Sequence, residues 1–171
     1  QLIKDIFTCK HKNPRAAYIS PLYSQSKRVA WDYVKEFSSA IPGVIFNEAE
    51  LRADYPGGGR LQLFGADNYH SLRGAYWDAV CLDEYAQFSP AAWTQVIRPA
   101  LSDRKGKCYM IGTPMGHNQF YDRYVDAESL PGWSTALYRA SESGVVDPEE
   151  LAAAKREMSD AEYEQEFECS W

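Results

Sequence analysis

Hydrophobic positions in this chain follow two different periods. Short apolar runs closed by a breaker predict strands at residues 15–20, 43–46, 60–65, 79–82 and 107–111, and a last one at 134–140. Between them, apolar residues recur at helical spacing. Leu2, Ile3 and Ile6 mark a helix with no N-cap before it. Residues 24–40 form an amphipathic stretch whose core face is predicted to carry Val29, Tyr33, Val34 and Phe37, continued by Ile41. Ser89-Pro90 reads as the N-cap and first position of a helix to about Leu101, with Trp93 facing inward, as Trp31 does on the earlier helix. A further helix is predicted near 118–127. Asp147-Pro148-Glu149-Glu150 and Ser159-Asp160-Ala161-Glu162 then start two capping-box helices. Gly57-Gly58-Gly59 lacks the adjacent lysine of a phosphate loop and reads as a hairpin turn. Strands alternating with helices predict an α/β fold, a three-layer sandwich around a mainly parallel sheet.

The chain has 171 residues, 45% of them hydrophobic and 14% aromatic, enough for one domain with a substantial core. A net charge of −6 argues against a freestanding, non-specific nucleic-acid binder, whose whole domain is usually basic. No apolar run reaches membrane-spanning length, so a soluble, cytoplasmic protein is expected. Cys9, Cys81, Cys108 and Cys169 show no paired spacing, so neither a zinc site nor a disulfide framework is expected. Cys81 and Cys108 read as reduced, buried small hydrophobes. His11, His70 and His117 show no ligand spacing and are assigned no chemistry.

Candidate chemistry concentrates in Ala79-Val80-Cys81-Leu82-Asp83-Glu84, an apolar run ending abruptly in two carboxylates. Parallel sheets place ligands at the carboxyl ends of their strands. A buried carboxylate pair repels itself unless something compensates it, and Mg²⁺ on nucleotide phosphates would do so. This is the Walker B arrangement, with Asp83 holding the metal and Glu84 aligning the attacking water. Helix capping after a strand also uses Asp or Glu. On this stretch alone both readings stand.

Three further segments fall into order with it: Tyr18-Ile19-Ser20-Pro21-Leu22-Tyr23-Ser24-Gln25, then Gly65-Ala66-Asp67-Asn68 leading through Leu72-Arg73-Gly74, and Ile111-Gly112-Thr113-Pro114-Met115-Gly116. The ordered set resembles the ATPase domain of phage terminase large subunits, the motors that package viral DNA. The tail, residues 138–142 through 163–169, resembles the segment that precedes the nuclease domain there. The resemblance implies a P-loop NTPase fold of the ASCE, helicase-like kind. It implies ATP and Mg²⁺ as cofactors, with Asp83 as the metal residue and Glu84 as the catalytic carboxylate. Arg73 would reach a neighbouring subunit's nucleotide; a structural arginine on a turn is the other reading. Gly112, Thr113 and Pro114 would form the coupling motif, with the Thr113 hydroxyl sensing the γ-phosphate, against a plain strand-ending turn. The Pro21–Gln25 turn could touch the DNA track, against ordinary helix entry. Basic residues cluster at Lys10, Lys12 and Arg15, and again at Arg98, Arg104, Lys105 and Lys107. The second set is a DNA-phosphate candidate or a solvated loop.

The pattern departs from the family in one respect: it contains no G-x-x-x-x-G-K-[ST] loop. The helix at residues 1–7 resembles the tail of the helix that would follow such a loop. The expectation is therefore a piece of a longer protein: residues 1–140 the core of the ATPase domain without its Walker A segment, and 141–171 a helical link to an absent nuclease domain. The implied partners are double-stranded DNA, a portal protein and a small terminase subunit, in a homo-oligomeric ring in the host cytoplasm. Two alternatives remain at this level: the ATPase core of another helicase-like nucleic-acid translocase, or a non-catalytic assembly module that lost the phosphate loop.

Overall fold

The computed structural model describes all residues, Gln1–Trp171. They form two compact units, Gln1–Ile111 and Gly112–Trp171, so the expected boundary at residue 140 falls inside the second.

The first unit is built on a six-stranded sheet in the order β2-β3-β4-β1-β5-β6. Its elements are α1 (Leu2–Thr8), β1 (Arg15–Ser20), α2 (Tyr23–Ser38), β2 (Ile45–Asn47), β3 (Arg52–Asp54), β4 (Arg60–Gly65), β5 (Ala79–Leu82) and β6 (Lys107–Met110). β4, β1, β5 and β6 run parallel, while β2 and β3 add as antiparallel hairpin arms. The Gly57–Gly59 segment is the turn between β3 and β4, closed by the Tyr55 N–H donating to the Gly59 carbonyl. β3 escapes sequence reading because Arg52 and Asp54 flank a single buried Ala53. Those two charges pair with each other, and Asp54 pairs with Arg60 across the ladder.

Successive residues of a strand face opposite ways, and β1 is covered on both sides. Ala16 joins a core cluster with Ile6 of α1, Trp31 and Val34 of α2, and Leu61 and Leu63 of β4. Ala17 and Ile19 point the other way and are fully buried, as are Val80 and Leu82 on β5. Residues 90–102 bury Trp93, Val96, Ile97 and Leu101. This helix, predicted as one piece, is α3 (Pro90–Ala92), a π-turn at Trp93–Ile97 and α4 (Arg98–Ser102). Pro99 accounts for the break: it has no N–H for the Gln95 carbonyl and its ring crowds the preceding turn.

α2 forms as expected but presents a different face. Its buried residues are Ser26, Ala30, Trp31, Val34 and Ser38, whereas Val29, Tyr33 and Phe37 are 43%, 58% and 66% exposed. Periodicity weighs apolarity and overlooks serines that are satisfied inside. The Ser26 hydroxyl donates to the Phe64 carbonyl at 2.6 Å and meets Ser20 Oγ at 2.6 Å, and Ser38 Oγ lies 2.9 Å from the Tyr55 hydroxyl. These small hydrogen-bonded groups let the helix sit close to the sheet.

The second unit holds α5 (Gln119–Ala127), α6 (Ala140–Ser143), α7 (Pro148–Glu157) and α8 (Asp160–Glu166). Asn118 caps α5 by accepting from the Phe120 and Tyr121 N–H groups. Ser159 and Glu162 close the expected capping box on α8. On α7, Asp147 accepts from the Glu149 N–H without the reciprocal Glu150 bond. The strand expected at 134–140 does not form. Instead Tyr138 is 81% exposed, and the Ala140 N–H is taken by the Phe167 carbonyl.

Candidate functional site

The parallel register brings the ends of four separated segments to one edge. Ile19 stands beside both Phe64 and Leu82, Ser20 beside Gly65, and Leu82 beside Met110. The turns that follow each strand therefore open at the same carboxyl end, where a parallel sheet offers its ligand crevice. Pairing continues past the ladder. The Asp83 N–H donates to the Ile19 carbonyl at 2.8 Å, the Ile111 N–H to Leu82 at 2.9 Å, and the Tyr85 N–H to Ile111 at 3.0 Å.

Asp83 and Glu84 are half-buried rather than buried, which softens the mutual repulsion expected of them. Asp83 also has a partner that the sequence reading missed: the Tyr18 hydroxyl donates to its Oδ2. Burial, and then the Asp83 carboxylate, hold the Tyr18 phenol far above its ordinary value, so it remains a neutral donor. A signal was present in the pattern. Tyr18 pairs with Cys81 on the neighbouring strand, and Asp83, two residues beyond Cys81, shares that face.

Glu84 adopts the left-handed conformation, φ 54° and ψ 45°. For a non-glycine residue this costs on the order of 1–3 kcal/mol and persists only where the surroundings over-determine it. Here the flanking bonds from Asp83 to Ile19 and from Tyr85 to Ile111 fix the turn. The capping alternative fares poorly: Glu84 precedes the 3₁₀ turn Tyr85–Gln87 and its side chain makes no cap bond.

The other candidate residues are placed as follows. Arg73 is exposed at the end of the 3₁₀ segment Ala66–Leu72, where its guanidinium bonds Gln95 Oε1 at 3.3 Å and approaches His70 Nδ1. Gly112 leaves β6 at φ 145°, a conformation that favours glycine, and is followed by half-buried Thr113 and buried Pro114. The Pro21–Gln25 turn is tied inward by Ser20 Oγ donating to the Leu22 carbonyl and by the Asp67 N–H donating to Pro21. Lys107 begins β6 opposite Ala79, at the amino end of the strands and away from Asp83. It is ion-paired with buried Asp5 at 2.7 Å. Arg104 lies 3.6 Å from Asp78 and stacks over the Tyr76 ring. Arg98 bonds Ser102 and, like Lys105, is exposed. Burial pushes the thiols of Cys81 and Cys108 up to about 12, as befits inert core groups.

The model of the family described as terminase large subunit, T4likevirus-type, N-terminal, matches residues 7–171. The large terminase subunits of Thermus phage G20c and Thermus virus P23-45 are each 42% identical over 72 residues, which is 42% of this chain and 14% of theirs. The chain thus spans a small part of those relatives. The ATPase domain of the Thermus phage P74-26 large terminase superposes with a TM-score of 0.72 at 23% identity, covering 98% of this chain and 80% of that one. The large terminase of another thermophilic bacteriophage superposes at 0.78 with 13% identity, over 99% of this chain and 45% of its own. That same large terminase in complex with ATP-gamma-S superposes at 0.74 with 12% identity, over 95% and 41%. At these identities the solved structures establish the fold alone, the mainly parallel α/β architecture of those large terminase ATPase domains, while the family model reaches from Phe7 to the last residue: the chain belongs to the terminase large subunit family, in its T4likevirus-type N-terminal region.

Proposed function

We infer that this chain supplies the core of an ATP-hydrolysing motor that drives double-stranded DNA into a viral procapsid. The observation that carries this reading is the Asp83-Glu84 pair at the carboxyl end of β5, in a turn whose backbone is held strained beside the ends of β1, β4 and β6. Family membership supports it, as does the likeness to a thermophilic phage terminase crystallised with ADP and with ATP-gamma-S. It also weighs against an unrelated helicase-like translocase.

Asp83 fits Mg²⁺ chemically: a hard carboxylate at a half-exposed strand end, whose Oδ2 is engaged by a neutral phenol rather than a cation. When bound there, Mg²⁺ would neutralise charge on the β- and γ-phosphate oxygens. Glu84 orients the attacking water and accepts its proton. The Thr113 hydroxyl, flanked by Gly112 and Pro114, reports the γ-phosphate state. Arg73 stabilises charge on the phosphoryl group of a neighbouring subunit in a ring. Because Arg104 and Lys107 are already ion-paired, DNA-phosphate contact falls chiefly to Arg98 and Lys105. A portal protein and a small terminase subunit complete the machine in the host cytoplasm.

The test is Glu84→Gln in the full-length large subunit, assayed for ATP turnover and packaging with DNA and procapsids. Removing a general base is expected to lower turnover by roughly 100-fold or more and to abolish packaging. Unchanged turnover and packaging would instead support the non-catalytic assembly module.

A further inference from the structure

Outside the Asp83 crevice, one cluster of potential ligands is brought together by the fold and not by the sequence. Cys9 and His11 lie in the loop between α1 and β1, and Asp78 immediately precedes β5. The Cys9 Sγ, a His11 ring nitrogen and an Asp78 carboxylate oxygen all lie within 4.8 Å of one another. His11 Nδ1 is 2.6 Å from Asp78 Oδ1. We propose that Cys9, His11 and Asp78 form a zinc site that pins the α1–β1 loop to the amino end of the sheet.

The donor set suits a borderline-soft ion. One thiolate, one imidazole and one carboxylate are all zinc ligands, with bonds of about 2.3 Å to sulfur and about 2.0–2.2 Å to nitrogen and oxygen. A tetrahedral ion with such bonds sets its ligand atoms somewhat over about 3 Å apart. The His11–Asp78 contact must therefore open by less than about 1 Å to admit it, and His11 can move because its side chain is 48% exposed. Water fills the fourth position. The carboxylate is already oriented: the Arg15 N–H donates to Asp78 Oδ2 at 2.8 Å, leaving Oδ1 on the side of His11. Metal ligands are commonly held this way from behind.

Arg104 is the feature that opposes a cation, lying 3.6 Å from the same Oδ1. A thiolate and a carboxylate together cancel the charge of Zn²⁺, so the guanidinium faces a neutral centre. Its place is also held by the Tyr76 ring and the Lys12 carbonyl. On binding, the Cys9 thiol releases its proton to solvent and the sulfur bonds the metal, with no redox change. The cluster sits at the opposite end of the strands from Asp83, so the site is structural and independent of nucleotide.

Cobalt(II) is the probe, titrated under reducing conditions into the 171-residue chain. The wild-type protein is expected to develop thiolate-to-cobalt charge transfer and intense tetrahedral d–d bands at one equivalent, and Zn²⁺ should bleach them. Cys9→Ser should abolish the charge transfer. His11→Ala, at an exposed position, should weaken binding by roughly tenfold or more. Zn²⁺ should raise the Tm of the wild type and leave that of Cys9→Ser unmoved. Absence of the band in a folded wild-type protein would overturn the proposal. So would persistence of the band in Cys9→Ser, which would assign it to another thiol.

Discussion

At the scale of single residues, the Asp83 carboxylate is shaped by what surrounds it. A neutral phenol from the neighbouring strand fixes Oδ2, and the next residue is forced into left-handed backbone. Tyr18 therefore acts on the site through Asp83 as a positioning residue. Tyr18→Phe is expected to lower stability by about 1 kcal/mol in urea unfolding, the usual net worth of one such hydrogen bond. In the full-length subunit it should also shift the Mg²⁺ concentration for half-maximal ATP turnover several-fold. An unchanged Mg²⁺ dependence would leave Tyr18 with packing alone.

At the scale of elements, α2 shows how a helix can be amphipathic on paper and rotated in place. Its sheet-facing side joins Trp31 and Val34 to two serines and an alanine. The apolar ridge Val29, Tyr33 and Phe37 is left in solvent, the two rings stacked on each other. The two faces should answer differently to truncation. Trp31→Ala, at 2% exposure, is expected to cost about 3–5 kcal/mol. Phe37→Ala should stay within about 0.5 kcal/mol, the range for surface substitutions. Chemical denaturation of both variants decides between the two faces. If Phe37→Ala proved the costlier, the ridge and not the serine side would face the sheet.

At the scale of the whole molecule, aspartates tie the peripheral pieces to the sheet. Asp5 joins α1 to Lys107 and Tyr109 of β6, Asp54 joins β3 to Arg60 of β4, and Asp78 holds the α1–β1 loop. Burial alone would raise each of these carboxyls. The donors around them outweigh it: Lys107, Tyr109 and Gln1 at Asp5, Arg60 and Arg52 at Asp54, and the Arg15 amide, His11 and Arg104 at Asp78. All three are held below the ordinary aspartate value, so the unfolded chain takes up protons before the native one. Their stabilising contribution is fully present above the unfolded value of about 3.9 and is lost as pH falls below it. Urea midpoints measured from pH 7 to pH 3 should decline most steeply at the acid end. Asp5→Asn should reduce stability at pH 7 and flatten that decline. An Asp5→Asn profile parallel to the wild type would remove Asp5 from the acid response.

Much of this was written in the order of residues. The β1 and β5 strands, the breakers after them and the Asp83-Glu84 terminus are local features: apolar runs stopped by groups that cannot continue a buried strand. The N-caps of α7 and α8 were equally legible, because an N-cap side chain bonds backbone only a few residues away. The failures arose where a partner distant in sequence decides. Residues 134–140, expected as a strand, form none, and the Ala140 N–H bonds the distant Phe167 carbonyl instead. The π-turn before Pro99 and the exposed ridge of α2 depend on how each helix meets the sheet. The Tyr18–Asp83 bond joins residues 65 apart, and the meeting of Cys9 and His11 with Asp78 spans slightly more chain. The sequence by itself determined the four parallel strands β1, β4, β5 and β6, where they stop and which carboxylates stand at the end of β5. Only the tertiary structure decided which side chains those carboxylates meet, because parallel strand order and register, set by packing across the sheet, are not encoded in any local period.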